Sequence, residues 1–107
     1  MGVTIVRYTT RADRADDNQA LVEKVFADLD ATRPAGLQYA SFRLADGVSF
    51  VHVAAVDTDD GTNPLPRTPA FAEFVRDIAG RCETAPVASD ATLVGSYGLF
   101  TDEGGVE

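Results

Sequence analysis

Tryptophan is absent from this chain, and cysteine, methionine and histidine occur once each, as Cys82, Met1 and His52. A lone thiol excludes an internal disulfide framework and suits a reducing cytoplasm. No stretch reaches the ~18 consecutive apolar residues of a membrane span, and Met1 to Tyr8 lacks the basic and apolar regions of a secretion leader, so the expected protein is cytoplasmic with no membrane partner. Positive charge is scarce as well: nine Lys and Arg stand against 17 Asp and Glu, a formal net charge of -8. A field of that sign repels nucleic-acid backbones and anionic lipid headgroups, and neither is an expected partner. What remains is an ordinary globular composition, 45% apolar over 107 residues, enough for one small core without disulfide or metal staples. Residues 1–107 read as a single domain, with a core of 3–100 and a flexible tail at 101–107.

Along the chain, Val3, Ile5, Val6 and Tyr8 form a β-branched and aromatic run that predicts a first strand. Thr10 or Asp16 can cap the helix that follows, Asp16 and Gln19 have the spacing of a capping box, and Leu21, Val22, Val25, Phe26 and Leu29 recur at helical spacing. The helix is predicted from about Asp17 to Ala31, ended by Pro34 and Gly36. Leu37 to Leu44 and Val48 to Val56 suit two strands joined by a two-residue turn at Asp46-Gly47. A long loop, Asp57 to Pro69, has the composition and length of a lid or contact arm. Pro69 opens a second helix whose stripe is Phe71, Phe74, Val75, Ile78, Ala79 and Cys82, and Ala91 to Phe100 is a final strand. The order βαββαβ, with right-handed crossovers, predicts an α+β ferredoxin-like fold: a four-stranded antiparallel sheet with both helices on one face.

Pairing outward from the Asp46-Gly47 turn sets Ser41 opposite His52, Arg43 opposite Phe50 and Tyr39 opposite Ala54. One hairpin face then carries Ala40, Phe42, Leu44, Val51, Val53 and Ala55, which is smoothly apolar and predicted to lie beneath the helices. The other carries Leu37, Tyr39, Ser41, Arg43, Phe50, His52 and Val56, and is predicted to be open. Such a mixed aromatic face calls for cover, and a second copy packed by two-fold symmetry gives a homodimer with a pocket between the sheets.

The βαββαβ order, the segment PAFAEFVRDIAGRC and the ending VGSYGLF resemble the antibiotic biosynthesis monooxygenase-like members of the dimeric α/β-barrel superfamily, from Val3 to Phe100. That resemblance implies a dimeric α/β barrel and, among the activities of the superfamily, cofactor-independent oxygenation of a small aromatic or hydrophobic compound, with no cofactor. Haem-degrading relatives use an Asn, a Trp and a His on the second helix; this chain has no Trp and its one His lies in the third strand. Asn18 is the one position that could correspond to the family asparagine.

Oxygenation without a cofactor needs a base, an anion-stabilising donor and a dry aromatic pocket. His52 is the candidate base, since an unperturbed imidazole titrates near ~6.5, and Arg43 the candidate anion stabiliser. Tyr39, Ser41 and Asn18 are positioned to orient substrate hydroxyls, Phe50 to stack on a ring, and Tyr97 to contribute from the last strand. The bland readings stand beside these: His52 as a packed, hydrogen-bonded histidine, Arg43 paired with an acid across the dimer, and Asn18 as a first-turn residue. DTDDGTN superficially resembles a calcium loop but lacks its glycine and glutamate positions, and no metal cluster, phosphate loop or Gly-x-Ser-x-Gly turn occurs. Cys82 reads as a small hydrophobe, with Arg81 beside it at the helix end. Two alternatives to an oxygenase are a non-catalytic, ligand-binding or stress-associated dimeric barrel and an ACT-like regulatory module.

Overall fold

The structure, a computed structural model, describes residues 2–98. Four strands, β1 (Gly2–Thr10), β2 (Leu37–Arg43), β3 (Ser49–Val56) and β4 (Cys82–Ala91), form one antiparallel sheet in the order β2-β3-β1-β4. Helix α1 (Ala15–Thr32) joins β1 to β2, and α2 (Pro69–Arg76) with the short α3 (Ile78–Arg81) joins β3 to β4. This is the ferredoxin-like α+β arrangement that the element order predicts. No helix among the described residues is long and apolar enough to cross a membrane.

Local chemistry explains most of the boundaries. Helix α1 starts two residues earlier than the sequence suggests, at Ala15 after a short 3-10 turn, and no side chain caps it. Asp16 and Gln19 do not form a capping box; both hold Arg43 instead. At its other end Arg33 adopts the left-handed conformation (φ 48°) and returns its N–H to the Leu29 carbonyl, after which Pro34 cannot continue the helix. Gly36 (φ 79°) lets the chain pass tightly over Asp57, whose N–H bonds the Gly36 carbonyl at 2.7 Å. The start of α2 receives its acceptor from another helix: Ala70 N–H donates to Asp28 of α1 at 3.0 Å. The single second helix expected from the stripe is broken at Asp77 into α2 and α3, and Cys82 belongs to β4. Leu65, in a short 3-10 helix within the long loop, is buried and anchors that loop to the core.

The last strand is displaced from its expected place. Ala91 to Phe100 has the more strand-like composition, yet β4 runs from Cys82 to Ala91. The reason is geometric: α3 ends at Arg81 beside β1, with Arg11 N–H on the Arg81 carbonyl and Cys82 already paired with Thr10. Nine residues after Cys82, Ala91 pairs with Val3, one residue from Gly2 in β1. Pro86, which cannot donate to a ladder, falls on this edge strand where the register shifts between Arg7 and Thr9. The expected end of the strand at Phe100 and the tail 101–107 lie outside the described residues.

Register is as the sequence pairing demands: Ser41 faces His52, Arg43 faces Phe50 and Tyr39 faces Ala54. The connection itself is longer than two residues, since Leu44 N–H bonds the Ser49 carbonyl and Asp46 accepts from Val48 N–H, Ser49 N–H and the Ser49 hydroxyl. A two-residue and a four-residue loop give the same parity, so the pairing is unchanged.

Which face is covered is the reverse of the expectation. Tyr39, Ser41, Phe50 and His52 lie beneath the helices with Tyr8 of β1, where Phe50 is buried against Tyr8, and His52 against Phe74 of α2. The opposite face, carrying Ile5, Ala40, Phe42, Val51, Val53, Ala55 and Val87, is the uncovered one. Polarity misleads here because a buried polar group costs little once it is hydrogen-bonded, whereas the ring volume of Tyr8, Phe50 and Phe74 is what fills the space under two helices.

Candidate functional site

His52 is at the centre of a buried polar chain. Burial of this side chain, 4% exposed, pushes its pKa down from 6.5 to about 4, so the imidazole is neutral near pH 7. One ring nitrogen, Nε2, lies 2.8 Å from the Tyr8 hydroxyl, and the other, Nδ1, lies 2.5 Å from the Tyr39 hydroxyl. Ser41 Oγ is at the outer limit of reach from Nε2, at 3.5 Å. Burial pushes both phenols well above their ordinary range, and each keeps its proton. Behind Tyr8, Asn18 Nδ2 donates to the Tyr8 oxygen at 2.8 Å, and Arg81 Nε donates to Asn18 Oδ1 at 3.0 Å. Arg81 is 1% exposed; it also donates to the Phe74 carbonyl at 2.6 Å and lies over the Phe74 ring. Every buried side-chain nitrogen and oxygen among the described residues has a partner.

The chain ends at a cavity. About 380 Å³ of space opens at the sheet edge between the C-terminal half of α1 and the start of β2, lined by Phe26, Leu29, Asp30, Arg33, Pro34, Leu37 and Tyr39. Phe26 and Tyr39 stack with centroids 5.2 Å apart, giving this wall an aromatic surface. His52 does not line the cavity; Tyr39 stands between them. The volume suits a small ring compound, and the open space has a lining more polar than apolar, to which the exposed Asp30 and Arg33 belong. Among the described residues no three His, Cys, Asp or Glu side chains converge as a metal site.

The sequence-predicted site residues therefore separate into two groups. His52, Tyr39, Ser41 and Asn18 come together, and Phe50 packs directly under them against Tyr8, but they do so between sheet and helices and not on an open inter-sheet face. Of that group Arg43 reaches only the ring of Phe50, 5.7 Å from its centroid, and Tyr97 stays apart. Arg43 leaves the buried face at the rim, where Asp16, Gln19 and the Gly47 carbonyl take its donors, so it is held by an acid of its own chain. Tyr97 is 99% exposed beyond the end of β4, because the strand expected to carry it is not there. Tyr8 and Arg81 belong to the site and were not foreseen as part of it. Tyr8 reads as an aromatic strand residue between Arg7 and Thr9, and Arg81 as a helix-end cation; only the register of β1 against β3 and the turn into β4 bring them to Asn18 and His52.

Neither a protein-family model nor a curated protein matches this chain. Solved structures do share its fold. Rv0793 of Mycobacterium tuberculosis superimposes with a TM-score of 0.71 at 14% identity, covering 89% of this chain and 96% of that one. An antibiotic biosynthesis monooxygenase superimposes at 0.69 with 16% identity, over 89% of this chain and 100% of its own. A variant of SnoaB, a cofactor-independent oxygenase from Streptomyces nogalater, superimposes at 0.64 with 17% identity, covering 91% and 97%. At these identities the likeness is one of architecture, and the chain has the fold of antibiotic biosynthesis monooxygenase-like proteins, as its sequence resemblance implies.

Proposed function

We propose that this protein is a cofactor-independent monooxygenase acting on a small aromatic or enolic compound held in the cavity beside Tyr39. One observation carries the reading: Tyr39 lines the cavity and its hydroxyl bonds His52, so one residue joins the ligand space to the buried polar chain. SnoaB, named a cofactor-independent oxygenase, supports it by fold. A phenol can supply all the electrons itself. Phenol and dioxygen give a quinone and water: one oxygen atom becomes the new ring carbonyl, the other leaves as water, and the ring loses four electrons. The step that needs help is formation of the phenolate or enolate, whose negative oxygen must be met by a fixed donor in a dry site. Tyr39 is that donor, with Phe26 stacked beside it. His52, neutral and engaged at both nitrogens, acts behind Tyr39 and does not touch substrate. Arg43 has no part in this chemistry, being tied to α1.

The protein acts as a homodimer in this reading, the second copy covering the apolar sheet face on which Ile5, Phe42 and Val87 are partly to largely exposed. A cytoplasmic setting fits the single free thiol of Cys82. The test is oxygen uptake with naphthalene-diol and anthrone-type substrates. Tyr39→Phe is expected to lower turnover by about 10²-fold, the usual loss when an oxyanion donor is removed, while Glu83→Ala on the exposed edge leaves it unchanged. Ligand binding without oxygen uptake or oxidised product would replace the oxygenase with a non-catalytic binding protein.

A further inference from the structure

Donor and acceptor chemistry gives the buried chain a direction. Arginine has only donors, so Arg81 Nε donates to Asn18 Oδ1, and this bond decides which end of the amide is oxygen. Asn18 Nδ2 must then donate to the Tyr8 oxygen. Tyr8 has one proton, and its only other hydrogen-bond partner among the described residues is His52 Nε2, so the proton lies on that bond and Nε2 accepts. The opposite tautomer would aim two N–H groups at the Tyr8 oxygen and leave the phenol proton buried with no acceptor, a cost that outweighs the slight intrinsic preference of imidazole for either nitrogen. The neutral ring therefore carries its hydrogen on Nδ1 and donates it to the Tyr39 oxygen. Tyr39, a lining residue of the cavity, is left with its own O–H, which has no acceptor among the described residues.

We propose that Arg81 and Asn18 polarise a one-way hydrogen-bond chain through Tyr8 and His52 that presents the Tyr39 hydroxyl to the cavity as a donor, so that the site selects ligands with a carbonyl or enolate oxygen at that point. This rests on the cavity beside Tyr39 being the substrate site. Tyr39 is the catalytic residue; Arg81, Asn18, Tyr8 and His52 are positioning residues. Arg81 suits the role because it is buried, makes no salt bridge among the described residues, and donates to Asn18 Oδ1 and the Phe74 carbonyl. Each bond in such a series strengthens the next, which sharpens Tyr39 as a donor.

Because His52 is the single histidine, nitrogen-15 NMR of the imidazole at pH 7 reads the tautomer without assignment. The wild type is expected to show Nδ1–H. Asn18→Asp, nearly isosteric, replaces the amide donor by an acceptor: Tyr8 turns its proton to the carboxylate, His52 moves its hydrogen to Nε2, and Tyr39 donates inward. Arg81→Met frees the amide to flip and gives a mixture of tautomers; should it fail to fold, Asn18→Asp carries the test. Binding is measured with 1-tetralone and tetralin, which share a skeleton and differ by one carbonyl. The ratio of their affinities is expected to fall about five- to tenfold in Asn18→Asp and in Tyr39→Phe, the worth of one hydrogen bond. An Nε2–H tautomer in the wild type, an unchanged tautomer in Asn18→Asp, or an unchanged affinity ratio in either variant would each overturn the proposal. Absence of oxygen uptake alongside the expected tautomers and ratios removes the oxygenase reading and leaves the polarised chain in place.

Discussion

A neutral imidazole with a phenol on each nitrogen is a different chemical object from a free histidine. Solvation of the charged form is lost on burial, and the protonated ring would also have to share two donors with hydroxyls whose own protons are already placed. The consequence is testable by titration: the histidine NMR midpoint is expected near 4, not 6.5. Stability follows with a definite sign. Since the folded pKa is below the unfolded one, the unfolded chain binds the proton first, and stability is lost as pH falls from about 6.5 towards 4, by about 3 kcal/mol in all. Denaturation midpoints that are flat between pH 7 and 5 would contradict it. Arg81 illustrates the complementary case of a charge that can be buried without a carboxylate because an amide oxygen, a backbone carbonyl and a ring face all meet it.

Elements are joined by a few bonds whose loss has predictable cost. Asp28 on α1 accepts the Ala70 N–H that α2 would otherwise leave unsatisfied, so the helix pair is capped across its interface. Asp28→Ala is expected to cost about 1 kcal/mol, as for loss of an N-cap, seen as a lower denaturant midpoint with unchanged slope. Gly36 is where α1, β2 and the end of β3 meet. A Cβ there would stand 2.7 Å from the Asp57 carbonyl oxygen, on a residue already at positive φ. Gly36→Ala is expected to destabilise by about 2 kcal/mol or more, and, by shifting the start of β2, to weaken ligand binding beside Tyr39; unaltered thermal stability would refute this. Much of the element pattern is legible in sequence, namely the first three strands, the hairpin register and α1. The position of β4 is not, because it depends on where α3 delivers the chain beside β1, a distance that local propensity does not contain.

At the scale of the molecule, the two faces of the sheet have different fates. One is closed by helices over the aromatic and polar chain. The other presents Ile5, Val51, Val53, Ala55 and Val87 without a helical layer, with Val87 62% exposed. A face of this composition is expected to pair with a second copy, giving the mass of two chains in light scattering at micromolar concentration. Ile5→Glu with Val53→Glu is expected to give a monomer with the His52 tautomer intact, since neither side chain reaches the buried chain. A wild-type monomer would remove the dimer from the proposed function.

What the sequence determines by itself is the parity: strand pairing alone makes Tyr39, Ser41 and His52 companions on one face, because side chains alternate with period two and either loop length preserves the register. What only the tertiary structure decides is the side on which the helices settle. That choice depends on the summed volume of rings from β1, β3 and α2 and on whether each buried polar atom finds a partner, and the partners, Asn18 on α1 and Arg81 at the end of α3, are supplied by segments far apart in the chain.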